Sequence, residues 1–468
     1  MNIKITFLGA AQNVTGSRYL VEANNIKFLV DCGLYQEHAL LSRNWEALPI
    51  PPQTLDAVLL THAHIDHCGL LPKLVKDGFR GQVYCTPATA DIVKIMLLDT
   101  AHLLQEDVEF KKKRHEREGR RVPYPEMPLY EVKDVEATVP LFSPVKYEQA
   151  VKVGDGVEAI FYDAGHVLGA ATVVVKVQQG SEVRTIIFSG DVGRQEKPIL
   201  RDPTLFHQAD YVLVESTYGD SLHENQEDMT AKLAEVINKT AAAGGNIVMP
   251  VFALERTQEI LYYLNKLLRA NLIPHLMVFV DSPMAVRVTE VFERYPELFD
   301  EDMIELLRKH ESPFDFSGLN LVQTVDQSKA INHIKGTVII MAGSGMCTGG
   351  RIKHHLVNNI SRRESTILFV GYQAVGTLGR QIVDGAKKVR IFGQEHNVRA
   401  KVVQLSGFSA HADRDELLKW LGSIQKPPRR LFVIHGEQET AKQFAALVRS
   451  KTGWEVTAPA YKDTVILD

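Results

Sequence analysis

The stretch THAHIDHCGL, residues 61–70, places three histidines and one aspartate within six consecutive positions. One histidine is most often an ordinary surface or core residue, but such a concentration is hard to explain by chance in a chain with 17 histidines. Imidazoles and a carboxylate suit zinc or a similar borderline cation. His62 and His64 can converge on one metal from an extended segment, while Asp66 and His67 lie further along and can reach a second position.

The residues before this stretch indicate how its side chains are held. LDAVLLT is a nearly continuous apolar run, which is typical of a strand covered on both faces of its sheet. Ligands that follow such a strand project from a rigid sheet edge. Further candidate ligands follow strand-like runs or stand in short loops: Asp31 in KFLVDCG, His166 in DAGHVLGA, Asp191 in FSGDVGR and His411 in GFSAHADRDEL. Together they predict one rim of ligands around two metal positions.

Length and composition limit the classes of protein that need to be considered. The chain has 468 residues, of which 45% are hydrophobic and 24% charged, and this predicts a globular protein of two or more domains. The net charge of −4 gives no overall sign of nucleic-acid binding, which would need a locally basic surface. There is no signal peptide and no apolar run of transmembrane length. Four scattered cysteines favour free thiols and a reducing, cytoplasmic compartment.

The pattern of strands and helices changes along the chain. The first 200 residues consist mostly of strand-like runs, and after Tyr218 strands and helices alternate, as in a parallel α/β sheet. From about Lys388 short strands return, with the helix DELLKWLGSI and the strand RRLFVIHGE. We therefore expect a second domain inserted into the first, with segments 1–219, 220–379 and 380–468.

Several motifs, taken in order, resemble a known family. HxHxDH, a following GH, a strand-end SGD and a late SAH resemble the metallo-β-lactamase superfamily. The chain also resembles its β-CASP branch, which includes the endonuclease subunit of the eukaryotic mRNA 3′-end cleavage factor and prokaryotic relatives. The similar segments cover nearly the whole chain and include FLGAAQNVTGSRYLVE, VESTYGD, PVFALERTQEIL, GSGMCTGGRI and GYQAVGTLGRQI. The resemblance implies an α/β protein: a metallo-β-lactamase αββα sandwich with an inserted parallel-sheet β-CASP domain.

The resemblance also implies a site with two zinc ions per chain. It assigns seven ligands: His62, His64 and His166 to one ion, Asp66, His67 and His411 to the other, and Asp191 to both. Asp31 would orient ligands through hydrogen bonds. Catalytic roles would fall to Asp66, Glu215 and His411. Histidine at position 411 goes with RNA substrates in this family, whereas valine goes with its DNA-cleaving members.

The chemistry of two adjacent cations agrees with such a substrate. Two metal ions lower the pKa of a shared water and stabilise charge on the attacking and leaving oxygens. A phosphodiester is a natural match, because its non-bridging oxygens are anionic ligands. Attack by hydroxide, rather than by the ribose 2′-OH, would leave 5′-phosphate and 3′-OH ends.

Contacts to the rest of the substrate are less defined. The glycine-rich stretch GSGMCTGGR has backbone amides that could cradle a phosphate. The candidate contacts to RNA, each compatible with a plain structural role, are Arg256, Ser344, Gly345, Lys353, His354, His355 and Gln381. Gln381 stands where the eukaryotic subunit has a histidine, which leaves its role open. The densely charged segment Glu106–Arg121 is either a solvated helix face or an RNA-contacting patch.

The expected function is that of a zinc-dependent endoribonuclease acting on single-stranded RNA in RNA processing or decay. Two alternatives are a small-ester or thioester hydrolase of the same superfamily and a non-catalytic RNA-binding subunit. The large insertion argues against the first, and the full set of ligands argues against the second. The sequence leaves open the RNA target, any 5′-exonuclease activity and the oligomeric state, with a homodimer among the options. It predicts no membrane partner.

Overall fold

The computed structural model describes residues 2–118, 127–224, 226–371, 373–374, 376–405 and 407–468. The chain forms two compact units: unit 1 comprises Met1–Gln195, Asp202–Leu222 and His411–Asp468, and unit 2 comprises Glu196–Arg201 and His223–Ala410. Unit 2 extends further than the expected boundary between residues 379 and 380, because residues 380–410 belong to it. The physical reason is a strand at Lys401–Gln404, which pairs in parallel with Thr366–Phe369 and so extends the sheet of unit 2.

The first sheet of unit 1 places two parallel strand ends side by side. Its strands are β1 (Ile3–Phe7), β2 (Tyr19–Ala23), β3 (Ile26–Val30), β4 (Ala57–Leu59), β5 (Gln82–Cys85), β6 (Phe142–Pro144) and β22 (Thr464–Leu467). Their order is β22-β1-β2-β3-β4-β5-β6. Because β3 and β4 are parallel neighbours, the residues that follow them, Asp31 and the stretch THAHIDH, meet at one edge.

The second sheet of unit 1 has seven strands, and three of them are parallel neighbours that end at one edge. Its strands are β7 (Ala150–Gly154), β8 (Val157–Asp163), β9 (Ala171–Gln179), β10 (Glu182–Phe188), β11 (Tyr211–Glu215), β20 (Arg430–Ile434) and β21 (Val456–Thr457), in the order β21-β20-β11-β10-β9-β8-β7. β10, β11 and β20 are parallel neighbours. Their ends therefore bring Asp191, Glu215 and His435 to the same edge of the sheet.

The two sheets of unit 1 pack face to face through one apolar core that both supply. Within it the rings of Phe7 and Phe432 lie 5.6 Å apart. The helices are α1 (Ile65–Cys68), α2 (Leu71–Lys76), α3 (Pro87–Glu118), α4 (Val132–Thr138), α12 (Arg414–Gly422) and α13 (Gln438–Thr452). Trp420 of α12 and Phe444 of α13 pack on the outer face of the second sheet. This sandwich confirms the predicted fold class.

Short connecting elements and the charged segment complete unit 1. Its 3₁₀ helices are His38–Trp45, Pro52–Thr54 and Val139–Leu141. The charged segment Glu106–Arg121 belongs to α3 as far as Glu118, and its last three residues lie outside the described residues.

Unit 2 contains a six-stranded parallel sheet, as the alternation of strands and helices predicts. Its strands are β12 (Ile247–Pro250), β13 (Met277–Asp281), β14 (Leu319–Leu321), β15 (Val338–Ala342), β16 (Thr366–Phe369) and β19 (Lys401–Gln404), in the order β14-β13-β15-β12-β16-β19. β17 (Lys388–Ile391) and β18 (Gln394–Asn397) form a separate hairpin.

The helices of unit 2 follow its strands. They are α5 (Gln226–Ala242), α6 (Arg256–Arg269), α7 (Pro283–Arg294), α8 (Glu301–Arg308), α9 (Val325–Ala330), α10 (Ile352–Asn359) and α11 (Leu378–Val383), with 3₁₀ helices at Pro296–Leu298 and Ile331–His333. Among the described helices of both units, none combines the length and the apolar character needed to cross a bilayer. All four cysteines are buried free thiols.

Candidate metal centre

Three imidazoles and one carboxylate converge in a first group: His62, His64, His166 and Asp191. His62 Nε2 lies 3.1 Å from His64 Nδ1, and His166 Nε2 lies 3.3 Å from that same atom. Asp191 Oδ2 lies 3.3 Å from His62 Nε2 and 3.5 Å from His166 Nε2. A tetrahedral zinc with bonds of about 2.05 Å to nitrogen holds its ligand atoms about 3.3 Å apart. The observed spacing fits such an ion.

The pKa values of the imidazoles in this group are all lowered, which favours the neutral form. Burial, together with the charge of His67, lowers the pKa of His62. Burial and the neighbouring His62 lower the pKa of His64 to about 3. Burial, with the charge of His411, also holds the pKa of His166 well below its usual value. A neutral imidazole keeps a nitrogen lone pair, which is the state that binds a metal.

A second group consists of Asp66, His67 and His435. His67 Nε2 lies 3.0 Å from His435 Nε2, which in turn lies 3.5 Å from Asp66 Oδ2. The other ring nitrogens have partners of their own, since His67 Nδ1 is 2.7 Å from Asp31 Oδ2 and His435 Nδ1 is 3.1 Å from Thr217 Oγ1. With each Nδ1 held in this way, each Nε2 faces the same small space, as in a histidine-bound metal site.

Asp191 faces both groups, which is the arrangement that a bridging ligand needs. Its Oδ2 approaches the first group, while its Oδ1 lies 3.4 Å from His67 Nε2. Burial raises the pKa of Asp191, but the charges of His435 and His67 outweigh this and hold the pKa well below its usual value. Its Oδ1 is buried and has no hydrogen-bond partner among the described residues. An ionised, buried and unsatisfied oxygen is the kind of atom that a cation would satisfy.

The second group also lies in a negative electrostatic field. Burial lowers the pKa of His67, but Asp191 and Asp31 outweigh burial and raise that pKa well above its usual value. For His435, burial is outweighed by Asp191 and by the hydrogen bond with Asp66, so its pKa is raised as well. The carboxylates around these rings therefore attract positive charge, which a metal cation would supply.

Asp31 forms hydrogen bonds at both of its carboxylate oxygens, one of them with a residue of the second group. Its Oδ1 accepts hydrogen bonds from the Thr61 amide at 2.8 Å and from the Thr61 hydroxyl at 3.0 Å, while its Oδ2 lies 2.7 Å from His67 Nδ1. The close approach of this loop to α1 requires a glycine, because a Cβ atom at Gly33 would lie 1.6 Å from the Asp66 carbonyl oxygen. Asp31 thus fixes the orientation of the His67 ring.

His411 occupies a different position from the one expected. Its Nδ1 lies 3.1 Å from Glu215 Oε1 and 3.9 Å from Asp191 Oδ2. The place beside Asp66 and His67 that the family resemblance implies for His411 is taken by His435. The reason is topological: His435 directly follows β20, a parallel neighbour of β11, whereas residue 411 pairs with residue 193 in an isolated bridge.

Glu215 and His411 form a hydrogen-bonded pair beside the two ligand groups. Glu215 accepts hydrogen bonds from the Val192 amide at 2.9 Å and from the Thr217 amide at 3.1 Å. Burial lowers the pKa of His411, but the charges of Glu215 and Asp191 outweigh burial and raise that pKa to about 9. A protonated imidazole has two N–H donors and no free lone pair.

His435 was missed in the sequence, although its signal resembles that of the other ligands. In RRLFVIHGE the histidine directly follows a strand-like run, as Asp31 follows KFLV. The same strand-end argument marks it as a candidate ligand, although the sequence does not show which strand it lies beside.

The RNA-contact candidates in unit 2 differ in their surroundings. Lys353 Nζ lies 4.9 Å from the ring centroid of Phe392, and the His354 ring lies 4.6 Å from it. Phe392 is 54% exposed, so this ring and its cationic neighbour are open to solvent. By contrast, His355 is buried, with Nε2 2.6 Å from Asp281 Oδ2.

Two further candidates lie on helices of unit 2. Arg256 is half-buried and forms a 2.7 Å ion pair with Glu259. Gln381 is exposed on α11. Among the described candidates, Gln381 and His354 are both exposed and neither forms an ion pair.

The glycine-rich loop that carries Ser344 and Gly345 already satisfies several of its own amides. Ser344 Oγ accepts hydrogen bonds from the amides of Thr348 at 3.1 Å and Gly349 at 3.4 Å. The Ile352 amide at the start of α10 donates to a loop carbonyl at 3.0 Å. A phosphate at this loop would have to displace these contacts.

A sandwich with two converging ligand groups at its strand ends defines a metal-dependent hydrolase site. Three family models match the chain: a metallo-beta-lactamase superfamily domain over residues 20–217, a Beta-Casp domain over 257–382, and a Zn-dependent metallo-hydrolase RNA specificity domain over 395–459. The chain belongs to the β-CASP branch of the metallo-β-lactamase superfamily, which confirms the resemblance seen in the sequence.

Individual relatives agree with this membership. The chain is 38% identical to Ribonuclease TTHA0252 of Thermus thermophilus, a match that covers 99% of this chain and 100% of the relative. It is 31% identical to Transcription termination factor FttA of Methanosarcina mazei, covering 99% of this chain and 72% of the relative. A solved structure of a protein of unknown function from Enterococcus faecalis has a similar fold, with a TM-score of 0.56, 13% identity and full coverage of both chains.

Proposed function

We propose that this chain is a zinc-dependent ribonuclease that cleaves single-stranded RNA at internal phosphodiester bonds and leaves 5′-phosphate and 3′-OH ends. The observation that carries the proposal is the convergence of two ligand groups on Asp191, which faces both of them. The match to an RNA specificity domain and the ribonuclease among the relatives support RNA as the substrate. The matched β-CASP domain also favours RNA over a small ester or thioester.

Two zinc ions would be held by seven side chains: His62, His64 and His166 for one, Asp66, His67 and His435 for the other, and Asp191 for both. When bound, such a pair of ions supplies a water of lowered pKa and stabilises negative charge on the phosphate. Asp31 keeps His67 in the tautomer whose Nε2 lone pair faces the ion, because its carboxylate accepts the Nδ1 proton.

The pair of Glu215 and His411 would supply the proton for the leaving 3′-oxygen. Glu215 accepts the Nδ1 proton of His411, so the proton on Nε2 is the one available to the substrate. Glu215 is itself fixed by two backbone amides, which makes it a positioning residue for the imidazole. This role replaces the metal-ligand role that the sequence suggests for His411.

The test uses one RNA of mixed sequence, labelled at its 5′ end or internally, with matched single-stranded DNA and duplex RNA. We expect fragments of intermediate length that carry 5′-phosphate and 3′-OH ends, with single-stranded RNA cleaved fastest. A chelator should abolish cleavage and added zinc should restore it. The Asp66→Asn variant is the control for a contaminating nuclease, since it alters one ligand only.

Three results would contradict the proposal. Equal rates on matched DNA and RNA would exclude the RNA preference. Mononucleotides released only from the 5′ end would show exonucleolytic rather than internal cleavage. Full cleavage by the Asp66→Asn variant would exclude the ligand assignment.

A further inference from the structure

Unit 1 contains a cavity of about 350 Å³ that takes no part in the two ligand groups. It lies on the face of the β22-β1-β2 part of the sheet that points away from the core. Along β1, Ile3, Ile5 and Phe7 belong to the core, whereas Lys4 and Thr6 line the cavity. The loop after the first 3₁₀ helix, residues 47–50, forms another wall.

Arg18 lines this cavity and is almost completely buried, with 6% of its surface exposed. Its Nε has no hydrogen-bond partner, and no described carboxylate forms an ion pair with its guanidinium. A buried charge without a partner is strongly unfavourable, and buried arginines are normally paired. The cavity therefore contains a cation whose partner is not supplied by the described part of the chain.

The acidic residues around the cavity are already paired with other cations. Glu22 forms a 2.7 Å ion pair with Lys4. Glu46, next to the lining loop, is 3.0 Å from Lys462 and accepts a hydrogen bond from the Tyr461 hydroxyl at 2.8 Å. Lys4 and Lys462 are thus each paired with one carboxylate. The cavity therefore carries one uncompensated positive charge, that of Arg18.

Most of the remaining lining is apolar. Leu8, Leu20, Leu48, Pro49 and Ile50 contribute to the walls. The volume lies within the range of small-molecule sites, which combine apolar walls with a few placed polar groups. An inorganic ion would satisfy the guanidinium but would leave these walls uncovered.

We propose that this cavity binds a small organic oxyanion, a phosphate or carboxylate carried on an apolar or aromatic body, with Arg18 as the residue that recognises the oxyanion. The planar guanidinium presents parallel N–H donors that match both kinds of oxyanion. The leucine-rich walls cover the body of the ligand. The site is separate from the proposed nuclease chemistry and does not depend on it.

The test measures binding of phenyl phosphate and benzoate to the zinc-loaded full chain by calorimetry, with benzyl alcohol as the uncharged probe. The two anionic probes distinguish a phosphate ligand from a carboxylate ligand. We expect at least one anionic probe to bind, and Arg18→Met to weaken it about 10- to 100-fold, as expected for the loss of a charged hydrogen-bonded pair. Arg43→Met is the matched control, because Arg43 stacks on Tyr461 at 3.9 Å instead of lining the cavity.

Thermal unfolding without any probe separates a ligand-binding role from a structural one. Removing an unpaired buried charge should leave the Tm of Arg18→Met unchanged or raised, whereas a structural role would lower it. The probe should raise the Tm of the unchanged protein and of Asp66→Asn, but not that of Arg18→Met. Equal binding by Arg18→Met, a lowered Tm without probe, or loss of binding in Asp66→Asn alone would each overturn the proposal.

Discussion

The Nδ1 atom of His411 lies 3.1 Å from the Oε1 atom of Glu215, and His411 stands outside the metal-ligand groups found among the described residues. A histidine whose Nδ1 faces a buried carboxylate is held as a hydrogen-bond donor. His67 has the same kind of Nδ1 contact, with Asp31 at 2.7 Å, but its Nε2 lies 3.0 Å from His435 Nε2 within a ligand group. His411 belongs to none of the groups among the described residues that could hold a metal. Replacing His411 and replacing a ligand histidine should therefore have different effects on the metal content and on the rate of RNA cleavage.

The first prediction concerns metal content. His435→Ala removes a member of the second ligand group, so we expect the purified variant to hold about one zinc per chain instead of two and to have almost no activity. His411→Ala should retain both ions. The measurement is elemental analysis after gel filtration in metal-free buffer. If His411→Ala lost an ion and His435→Ala kept both, His411 and not His435 would be the third ligand beside Asp66 and His67.

The second prediction concerns the rate of cleavage in variants that keep both ions. His411→Ala should slow single-turnover RNA cleavage about 10²- to 10⁴-fold, the usual contribution of a positioned acid. Glu215→Gln should be impaired in the same direction, because it weakens the hold on the imidazole. A donor acts only on a poor leaving group, so both variants should recover most of their rate on an RNA analogue with a phosphorothiolate 3′-sulfur leaving group. No recovery would assign the pair a structural role.

The third prediction concerns Gln381, where the family resemblance leads one to expect a histidine. An amide has no proton to give at neutral pH, and the carboxylate-held imidazole is His411. Gln381 is exposed on α11, and Gln381→Ala should therefore be only modestly impaired. The rate should be compared with that of Glu215→Ala across a pH series. A Gln381→Ala protein as inactive as a ligand variant, with its zinc content intact, would contradict this division of roles.

Much of the site follows from one rule that can be applied to the sequence. Neighbouring parallel strands end at one sheet edge, and this places Asp31 with the THAHIDH stretch and Asp191 with Glu215. The same rule applies to His435, which follows the strand RRLFVI. That strand pairs with β11 but begins 215 residues after β11 ends, so the pairing cannot be inferred from the nearby sequence. Register between distant segments depends on tertiary packing.

Two other features could not be read from the sequence for related reasons. The strand Lys401–Gln404 is only four residues long and half-polar, so its pattern is too weak to show that it extends the sheet of unit 2. The isolation of Arg18 depends on which acids its neighbours pair with, and those partners come from β2 and from residues 46 and 462. Such pairings are set by the assembled fold.

The fourth prediction concerns the stability of unit 2. The Asp281 carboxylate is 2.7 Å from Arg351 Nη1, 2.6 Å from His355 Nε2 and 2.5 Å from Ser328 Oγ. Burial raises its pKa, but the hydrogen bonds from His355, Ser328 and Arg351 outweigh burial and lower the pKa below its usual value. Asp281→Asn leaves the Arg351 guanidinium without its buried carboxylate partner, and we expect it to cost about 3 kcal/mol at pH 7.

The pH dependence of this loss has a definite sign. A carboxylate whose pKa is lower in the folded protein contributes stability above its unfolded pKa of 3.8, and the contribution disappears as pH falls through the folded value. The gap in unfolding free energy between the natural protein and Asp281→Asn should therefore be constant from about pH 7 to pH 5 and shrink below about pH 4. Urea unfolding of both proteins at several pH values measures this difference in unfolding free energy. A gap that grew on acidification would contradict the assignment.

The fifth prediction concerns how unit 2 contacts RNA. Lys353 lies 4.9 Å from the exposed Phe392 ring, so a base stacked on that ring would bring its phosphate within reach of the ammonium group. Lys353→Ala should weaken binding of single-stranded RNA to the catalytically silent Asp66→Asn protein and reduce the slope of log K against log salt by about one. Phe392→Leu keeps the apolar bulk but removes the aromatic face, so it should weaken binding with little change in that slope. Lys329→Ala, at an exposed lysine on α9, is the control and should leave both quantities nearly unchanged. Equal slopes for Lys353→Ala and Lys329→Ala would show that the charge of Lys353 does not meet the RNA backbone.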